Sequence, residues 1–202
     1  MPFMDTQIIP RRIAAKKRRA LDISNTVVID GISYGFQRVL ILDDAVSIIV
    51  PDSFNEMTAE AAKLKYPSEY RPQYILTSDD GLLNMAFSLL DYPLANSQID
   101  EKVGELRTGI KRINPAFVFL TEKVETLHDR RIGCFDYNSY AFDGDAYHLM
   151  FVTNIDNNML LGTFNCPIEQ CQEWKTLVAQ MALSIEDRTA IMPLAPDTKN
   201  LE

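Results

Sequence analysis

The sequence has few of the residues that build metal centres and disulfide frameworks. It contains two histidines and three cysteines among its 202 residues. A site rich in His and Cys ligands therefore has little material, and we expect neither a metal nor another cofactor. The odd number of cysteines argues against a disulfide framework and favours a reducing, cytoplasmic compartment. The cysteines are Cys134, Cys166 and Cys171.

Long apolar runs and an excess of basic charge are also missing. No stretch approaches the roughly 18 consecutive apolar residues that a membrane-spanning helix needs, so we expect no transmembrane segment. The 20 Lys and Arg residues are outnumbered by 28 Asp and Glu residues, and the net charge is −8. This balance argues against a nucleic-acid partner, because nucleic-acid binding depends on basic surfaces.

The composition predicts one globular domain with a tail at each end. Hydrophobic residues make up 47% of the chain and charged residues 24%, as in ordinary globular proteins. We expect a basic N-terminal arm over residues 1–25, a single domain over 26–185 and a C-terminal tail over 186–202. The arm could bind nucleic acid or an anionic membrane surface, but a solvated arm is favoured because no aromatic residue interleaves its basic residues. The basic residues of the arm are Arg11, Arg12, Lys16, Lys17, Arg18 and Arg19.

Strand and turn signals alternate through the body of the chain. Asp30 and Gly31 favour the positive φ of a tight hairpin turn, and they stand between two apolar runs. A strand that begins at residue 46 ends at Pro51, which cannot donate to a sheet ladder. Residues 73–90 are predicted to form another hairpin. Residues 116–164 are predicted to form a four-stranded meander, because joins this short force antiparallel neighbours.

Three segments have the spacing of amphipathic helices. The first spans residues 57–64, with Met57, Ala61 and Leu64 on one face. The second spans 99–113, and its apolar stripe predicts packing on a sheet; its stripe residues are Ile99, Val103, Leu106, Ile110 and Ile113.

The ends of the helices also carry signals. Ser97 and Asp100 have the spacing of an N-terminal capping box. The third helix is predicted to open at Pro167, a favoured first helical residue. Helices packed on the faces of an antiparallel β-sheet define an α+β sandwich.

The order of these elements resembles the PsbP-like fold. The local feature that carries the resemblance is a strand that runs through Pro51 to the aromatic Phe54 and on into a short helix. In element order the resemblance covers residues 26–185. It implies a non-enzymatic binding or accessory role, similar to that of PsbP and DcrB-like proteins. Some DcrB-like proteins look like chaperones for apolar segments of secreted clients, and the resemblance implies a protein partner of that general kind.

An enzyme is the alternative from another class, and Cys166 is its sharpest candidate. Cys166 precedes Pro167 at the predicted start of the last helix, where the helix dipole would lower the pKa of its thiol. A nucleophilic cysteine would also need a base, and His128 and His148 are the only histidines. The favoured interpretation is a small buried or capping cysteine. His148 is likewise favoured as a structural strand residue, and the acidic pairs Asp43–Asp44, Asp79–Asp80 and Asp143–x–Asp145 as turn residues.

A loop with two tyrosines is the most interaction-like surface segment. Tyr66, Tyr70 and Arg71 lie between or beside Pro67 and Pro72, and these residue types anchor many protein interfaces. The alternative is that the tyrosines only cover a helix end and a sheet edge. We therefore expect a non-catalytic adaptor whose candidate binding residues are Tyr66, Tyr70 and Arg71.

Overall fold

The computed structural model describes residues 21–140 and 144–191. The six basic residues of the expected arm and most of the expected C-terminal tail lie outside the described residues. The helices are α1 (Ala59–Lys65), α2 (Ile99–Ile113) and α3 (Cys171–Leu183). No helix in these two ranges has the length and apolar character needed to cross a membrane.

The strands pair in antiparallel fashion throughout the described ranges. They are β1 (Val27–Ile29), β2 (Ile32–Tyr34), β3 (Phe36–Ile41), β4 (Val46–Pro51), β5 (Asn55–Glu56), β6 (Tyr74–Thr77), β7 (Asn84–Pro93), β8 (Val118–Leu127), β9 (Arg130–Ser139), β10 (Ala146–Ile155), β11 (Asn158–Pro167) and β12 (Glu186–Asp187). A seven-stranded sheet has the order β5-β6-β7-β11-β10-β9-β8. A three-stranded sheet has the order β12-β4-β3, and β1 and β2 form a separate hairpin. These antiparallel sheets with packed helices confirm the α+β fold.

Helix α2 covers one face of the large sheet at β8, β9 and β10. Ile99 and Val103 are fully buried there, and Gly133 of β9 lets the helix approach closely. A Cβ at Gly133 would lie 2.1 Å from Cγ2 of Val103, so the missing side chain is what makes room for the helix. Ile113, the last residue of the predicted stripe, is 82% exposed. The stripe therefore extends beyond the part of the helix that is covered.

Helix α3 lies on the opposite face, between the large sheet and the three-stranded sheet. Its Trp174 is fully buried and packs edge-on against Tyr34, with ring centroids 5.0 Å apart. Phe54 and Phe164 flank the same indole, at 6.2 and 5.7 Å. The main core thus joins the β1–β2 hairpin, the end of β4 and both sheets around one tryptophan.

Residues on both sides of the expected domain, 26–185, also contact it. Leu21 is buried in the main core, and its carbonyl accepts a hydrogen bond from Gln180 Nε2 at 2.8 Å. At the other end, β12 pairs with β4, and the Arg188 amide donates to the Ala45 carbonyl. Residues 21–25 and 186–188, expected as parts of the tails, therefore make ordered contacts with the domain.

One predicted helix start and one predicted helix cap are wrong. Pro167 is the last residue of β11, and α3 begins at Cys171 after a short 3₁₀ turn. The capping box at Ser97 is absent; instead Gln98 Oε1 accepts the Ala95 amide hydrogen bond at 3.0 Å. In both cases a 3₁₀ turn precedes the α-helix, and the turn before α2 contains Ser97, the residue that sequence spacing assigned to the cap.

Candidate functional site

An open groove runs beside α1 at the β5–β6 edge of the large sheet, and we call it the α1 groove. One wall is the outer side of α1, and the other is the turn between β6 and β7. Its volume is about 620 Å³, within the range of roughly 300–1,000 Å³ typical of ligand sites. The helix begins after Thr58, whose Oγ1 accepts the Ala61 amide hydrogen bond.

The α1 wall is apolar, and its residues Ala61 and Leu64 are exposed. Met57, Ala61 and Leu64 line the groove, and Leu64 is 87% exposed. The side of α1 that packs on the sheet carries Ala62, which lies against Ile75 and Ala86. The helical spacing of Met57, Ala61 and Leu64 therefore marks the wall of an open groove, although Met57 also packs against the small cluster under α1.

The opposite wall is acidic and shaped by a tight turn. Asp80 accepts hydrogen bonds from Ser78 Oγ at 2.5 Å and from the Leu82 amide at 3.0 Å. These bonds hold the pKa of the Asp80 carboxyl below its ordinary value. Asp79 accepts a hydrogen bond from Asn55 Nδ2 of the neighbouring strand β5 at 3.0 Å. Asp80 thus has the turn role expected of it, Asp79 is instead bonded to β5, and both carboxylates line the groove.

Lys65 bridges the two walls at one end of the groove. Its Nζ donates to the Gly81 carbonyl at 2.8 Å. Burial lowers the pKa of Lys65, against a smaller opposing effect of Asp80. The ammonium group is therefore engaged with the turn, and the carboxylates of Glu56, Asp79 and Asp80 leave the groove lining with a negative balance.

The tyrosine loop follows directly from α1, and its members have unequal surroundings. Tyr66 is half-buried against the small cluster under α1, and burial raises its pKa. Its carbonyl accepts a hydrogen bond from Arg71 Nε at 3.2 Å. Tyr70 is 94% exposed. Tyr66 and Arg71 thus shape the loop, and Tyr70 is the member that projects into solvent.

Cys166 does not have the surroundings of a nucleophile. It lies inside β11 and not at a helix N-terminus, and it is 1% exposed. Burial raises the pKa of its thiol above the ordinary value, whereas the predicted helix position would lower it. The cysteine is buried, and the capping position expected for it is wrong.

Neither histidine is placed to serve Cys166 as a base. Cys166 pairs with Tyr147, so His148, one residue further along β10, faces the other side of the sheet. His148 stacks on Tyr137 at 4.8 Å and hydrogen-bonds Ser139 Oγ at 2.8 Å. Burial lowers its pKa to about 4. His128 lies in the β8–β9 turn, roughly 25 Å along β9 from the level of Cys166 at about 3.3 Å per residue.

The acidic turns do not converge on a metal site in the part of the chain described here. Asp43 and Asp44 have φ values of 53° and 66°, consistent with turn geometry that Asp tolerates. Asp143 lies outside the described residues. Within the described ranges, no group of three or more His, Cys, Asp or Glu side chains is placed to hold a metal ion.

Antiparallel sheets with helices packed on them define a class of α+β proteins, and comparison with solved structures identifies the fold more specifically. No protein-family model matches the sequence, and no curated protein sequence matches it. The solution structure of cyanobacterial PsbP (CyanoP) from Synechocystis sp. PCC 6803 is similar, with a TM-score of 0.55 and 10% identity. The match covers 81% of this chain and 98% of that chain. LpqN of Mycobacterium tuberculosis, involved in cell envelope biogenesis, gives a TM-score of 0.48 at 10% identity over 75% of this chain and 90% of that one.

The chain has a PsbP-like fold, which confirms the resemblance drawn from element order. Identity of 10% shows the fold alone. The function must therefore be argued from the surface and the buried groups of this chain.

Proposed function

We propose that this chain is a non-catalytic binding protein that contacts a protein partner through α1 and the loop after it. The observation that carries the proposal is the outer side of α1, where Leu64 is 87% exposed beside Met57 and Ala61. Tyr70, 94% exposed on the adjoining loop, adds an aromatic side chain to the same end of the molecule. Clustered exposed apolar and aromatic residues are typical of interaction sites.

The shape of this surface favours a protein over a small molecule. Small-molecule sites enclose most of their ligand in a concave cavity. Leu64 and Tyr70 instead stand almost fully in solvent, so only a partner that brings its own surface can bury them. Pro67 and Pro72 restrict the loop before binding, and less ordering entropy is then lost when a partner arrives.

The buried groups support a non-catalytic role. Cys166, the candidate nucleophile, is enclosed in the core with a raised thiol pKa. His148 is held by ring stacking on the opposite face of the sheet. A nucleophile and its base must lie within hydrogen-bond reach, and this pair is separated by the sheet itself.

Site-specific photo-crosslinking tests the proposal. A photoreactive phenylalanine analogue replaces Leu64 in one variant and Ile113 in a control, because both side chains are exposed ends of apolar helical stripes. In extracts of the native host, we expect a discrete protein to crosslink at position 64 and not at 113. With that protein purified, Tyr70→Ala should weaken its binding without lowering the stability of this chain. Equal crosslinking from both positions would contradict the proposal.

A further inference from the structure

We infer that the partner segment bound in the α1 groove is a basic peptide, in which an apolar side chain is flanked by Lys or Arg. This inference rests on the proposed function and names the chemistry of the partner. It depends on two properties of the groove that lie side by side, an apolar wall and an acidic wall.

The apolar wall provides a place for one anchoring side chain. Met57 and Ala61 form the inner part of this wall, and Leu64 forms its outer lip. The helix is seven residues long and packs on the sheet through the small residue Ala62. Leu64, the largest apolar side chain of the helix, is therefore left for a ligand and is not needed to hold the helix on the sheet.

The acidic wall selects the charge beside that anchor. Glu56, Asp79 and Asp80 line the groove, and Lys65 is the cation among its lining residues. The Lys65 ammonium donates to the Gly81 carbonyl, so it is bound to the turn beside the carboxylates. A Lys or Arg next to the anchor would meet complementary charge, and a Glu or Asp would be repelled.

Other occupants fit this surface less well. An anionic membrane would be repelled by the acidic wall. A second copy of the chain in a two-fold arrangement would place the same acidic wall against itself. Residues 11–19 of this chain are basic, so binding in cis is a separate outcome that the experiment must distinguish.

Fluorescence anisotropy with a synthetic peptide tests the inference directly. The probe is a short fluorescein-labelled peptide of Lys, Leu and Ala at helical spacing. One matched peptide has Glu in place of Lys, and another has Ser in place of Leu. We expect saturable binding of the first peptide, with affinity at least ten-fold weaker for each matched peptide. Absence of saturable binding, or equal affinity for the Glu peptide, would overturn the inference.

Variants with matched controls locate the binding. Leu64→Ser should weaken affinity about ten-fold, and Ile113→Ser, the control at the end of α2, should not change it. Asp79→Asn should weaken affinity about two- to five-fold, the scale of an exposed ion pair, and reduce its salt dependence. Glu101→Gln, an exposed carboxylate on α2, should leave both unchanged. Unchanged affinity in Leu64→Ser would overturn the assignment.

Two further measurements exclude the other occupants. If a chain that starts at Leu21 binds the peptide more than ten-fold tighter than the full chain, the chain's own basic segment occupies the groove, and the inference is wrong. If Leu64→Ser converts a dimer to a monomer in sedimentation, a second copy is the occupant, and the inference is again wrong. Peptide binding can fail while position 64 still crosslinks a partner; the inference then fails and the proposed function stands. Failure of both overturns both.

Discussion

At the scale of single residues, Asp136 is the most heavily bonded group in the core. It is 1% exposed, and its carboxylate accepts from the Thr121 amide at 2.7 Å, Thr121 Oγ1 at 2.5 Å and Tyr147 Oη at 3.0 Å. Lys175 of α3 also donates to it. The residue thus ties β8, β10 and α3 to β9 through one buried charge.

The stability of the protein should depend on the ionised form of Asp136. Burial raises the pKa of Asp136, but the hydrogen bonds from Lys175 and Thr121 outweigh it, so the pKa lies below its ordinary value. A group with a lowered pKa in the folded state adds stability above its unfolded pKa near 4, and that stability is lost as the pH falls through the folded value. We expect Asp136→Asn to lower the free energy of unfolding by about 2–3 kcal/mol at pH 7, with a smaller difference at pH 3. Urea unfolding at both pH values measures this, with Asp79→Asn as the control. An equal difference at pH 3 and pH 7 would contradict it.

The order in which the three cysteines react with a thiol reagent should follow their burial and not the activation of any one thiol. Cys166 is 1% exposed, whereas Cys134 and Cys171 are half-buried, and burial raises the pKa of Cys134 to about 11. We expect a thiol reagent at neutral pH to modify Cys171 first and Cys166 only on the timescale of unfolding. Peptide mass spectrometry after timed labelling gives the order. Rapid and selective modification of Cys166 would instead show an activated thiol and support an enzyme.

The prediction that Cys166 lies at the cap of the last helix was wrong, and the reason is a contact that local sequence does not contain. A Cys-Pro pair before an apolar helical pattern is compatible with both a strand end and a helix start. The ten-residue pairing of β11 with β10 carries the strand through Pro167, and that pairing is a tertiary contact that local sequence does not contain. Burial of Cys166, by contrast, follows from residue type and could be predicted.

At the scale of elements, the bounds of the long helix α2 were predicted, whereas the buried face of the short helix α1, predicted over 57–64, could not be. The fifteen residues of α2 carry an extended stripe, and its bounds match the prediction. In α1, seven residues offer too few turns to separate a core face from an exposed groove wall. The buried residue Ala62 is small, so hydrophobic spacing alone did not single it out as the residue that packs on the sheet. The apolar wall of the groove therefore became visible only with the structure.

The close approach of α2 to β9 should tolerate no side chain at position 133. In Gly133→Ala, the new Cβ would meet Cγ2 of both Val103 and Ile99, so the helix must shift. We expect a loss of about 2–3 kcal/mol in the free energy of unfolding, the scale of overpacking. Gly104→Ala is the matched control, because nothing lies within 4 Å of its added Cβ and it removes a glycine from a helix interior. It should stabilise by about 0.4–1 kcal/mol. Chemical denaturation of both variants would refute the argument if their effects were equal.

The two tyrosines of the loop after α1 should have different roles, Tyr66 a structural one and Tyr70 an exposed one. Tyr66 packs under α1, so Tyr66→Ala should lower the free energy of unfolding by about 1–2 kcal/mol. Tyr70→Ala should leave stability unchanged, since Tyr70 is 94% exposed. With a partner identified by crosslinking, Tyr70→Ala or Arg71→Ala should cost about 2 kcal/mol or more of binding, as expected of an anchor. Calorimetry and thermal unfolding on each variant separate the two roles. Lower stability with unchanged affinity for the Tyr70 variant would exclude the loop as an interface.

At the scale of the whole molecule, the fold class was predictable because short joins leave few topologies. Turn residues at regular intervals force antiparallel neighbours, and three helical patterns must then cover the faces of the sheets. What local sequence could not supply is the contact between distant segments. Gln180 of α3 accepts from the Ile23 amide at 3.0 Å and donates to the Leu21 carbonyl, a link across more than 150 residues. For that reason the expected start of the domain falls several residues later than its first core contact.

The position of that first contact predicts how the molecule responds to truncation. Leu21 is 6% exposed in the main core, and Gln180 holds the backbone on both sides of Asp22. We expect a chain that starts at Leu21 to have a melting temperature within a few degrees of that of the full chain, because the six basic residues within residues 1–20 fall outside the hydrophobic pattern. Leu21→Ala in the full chain should lower the free energy of unfolding by about 2–4 kcal/mol, and the melting temperature by roughly 5–10 °C for a protein of this size. Differential scanning calorimetry on both proteins tests the boundary. A large drop in melting temperature for the truncated chain would show that residues 1–20 are packed. An unchanged melting temperature for Leu21→Ala would show that the core begins after Leu21.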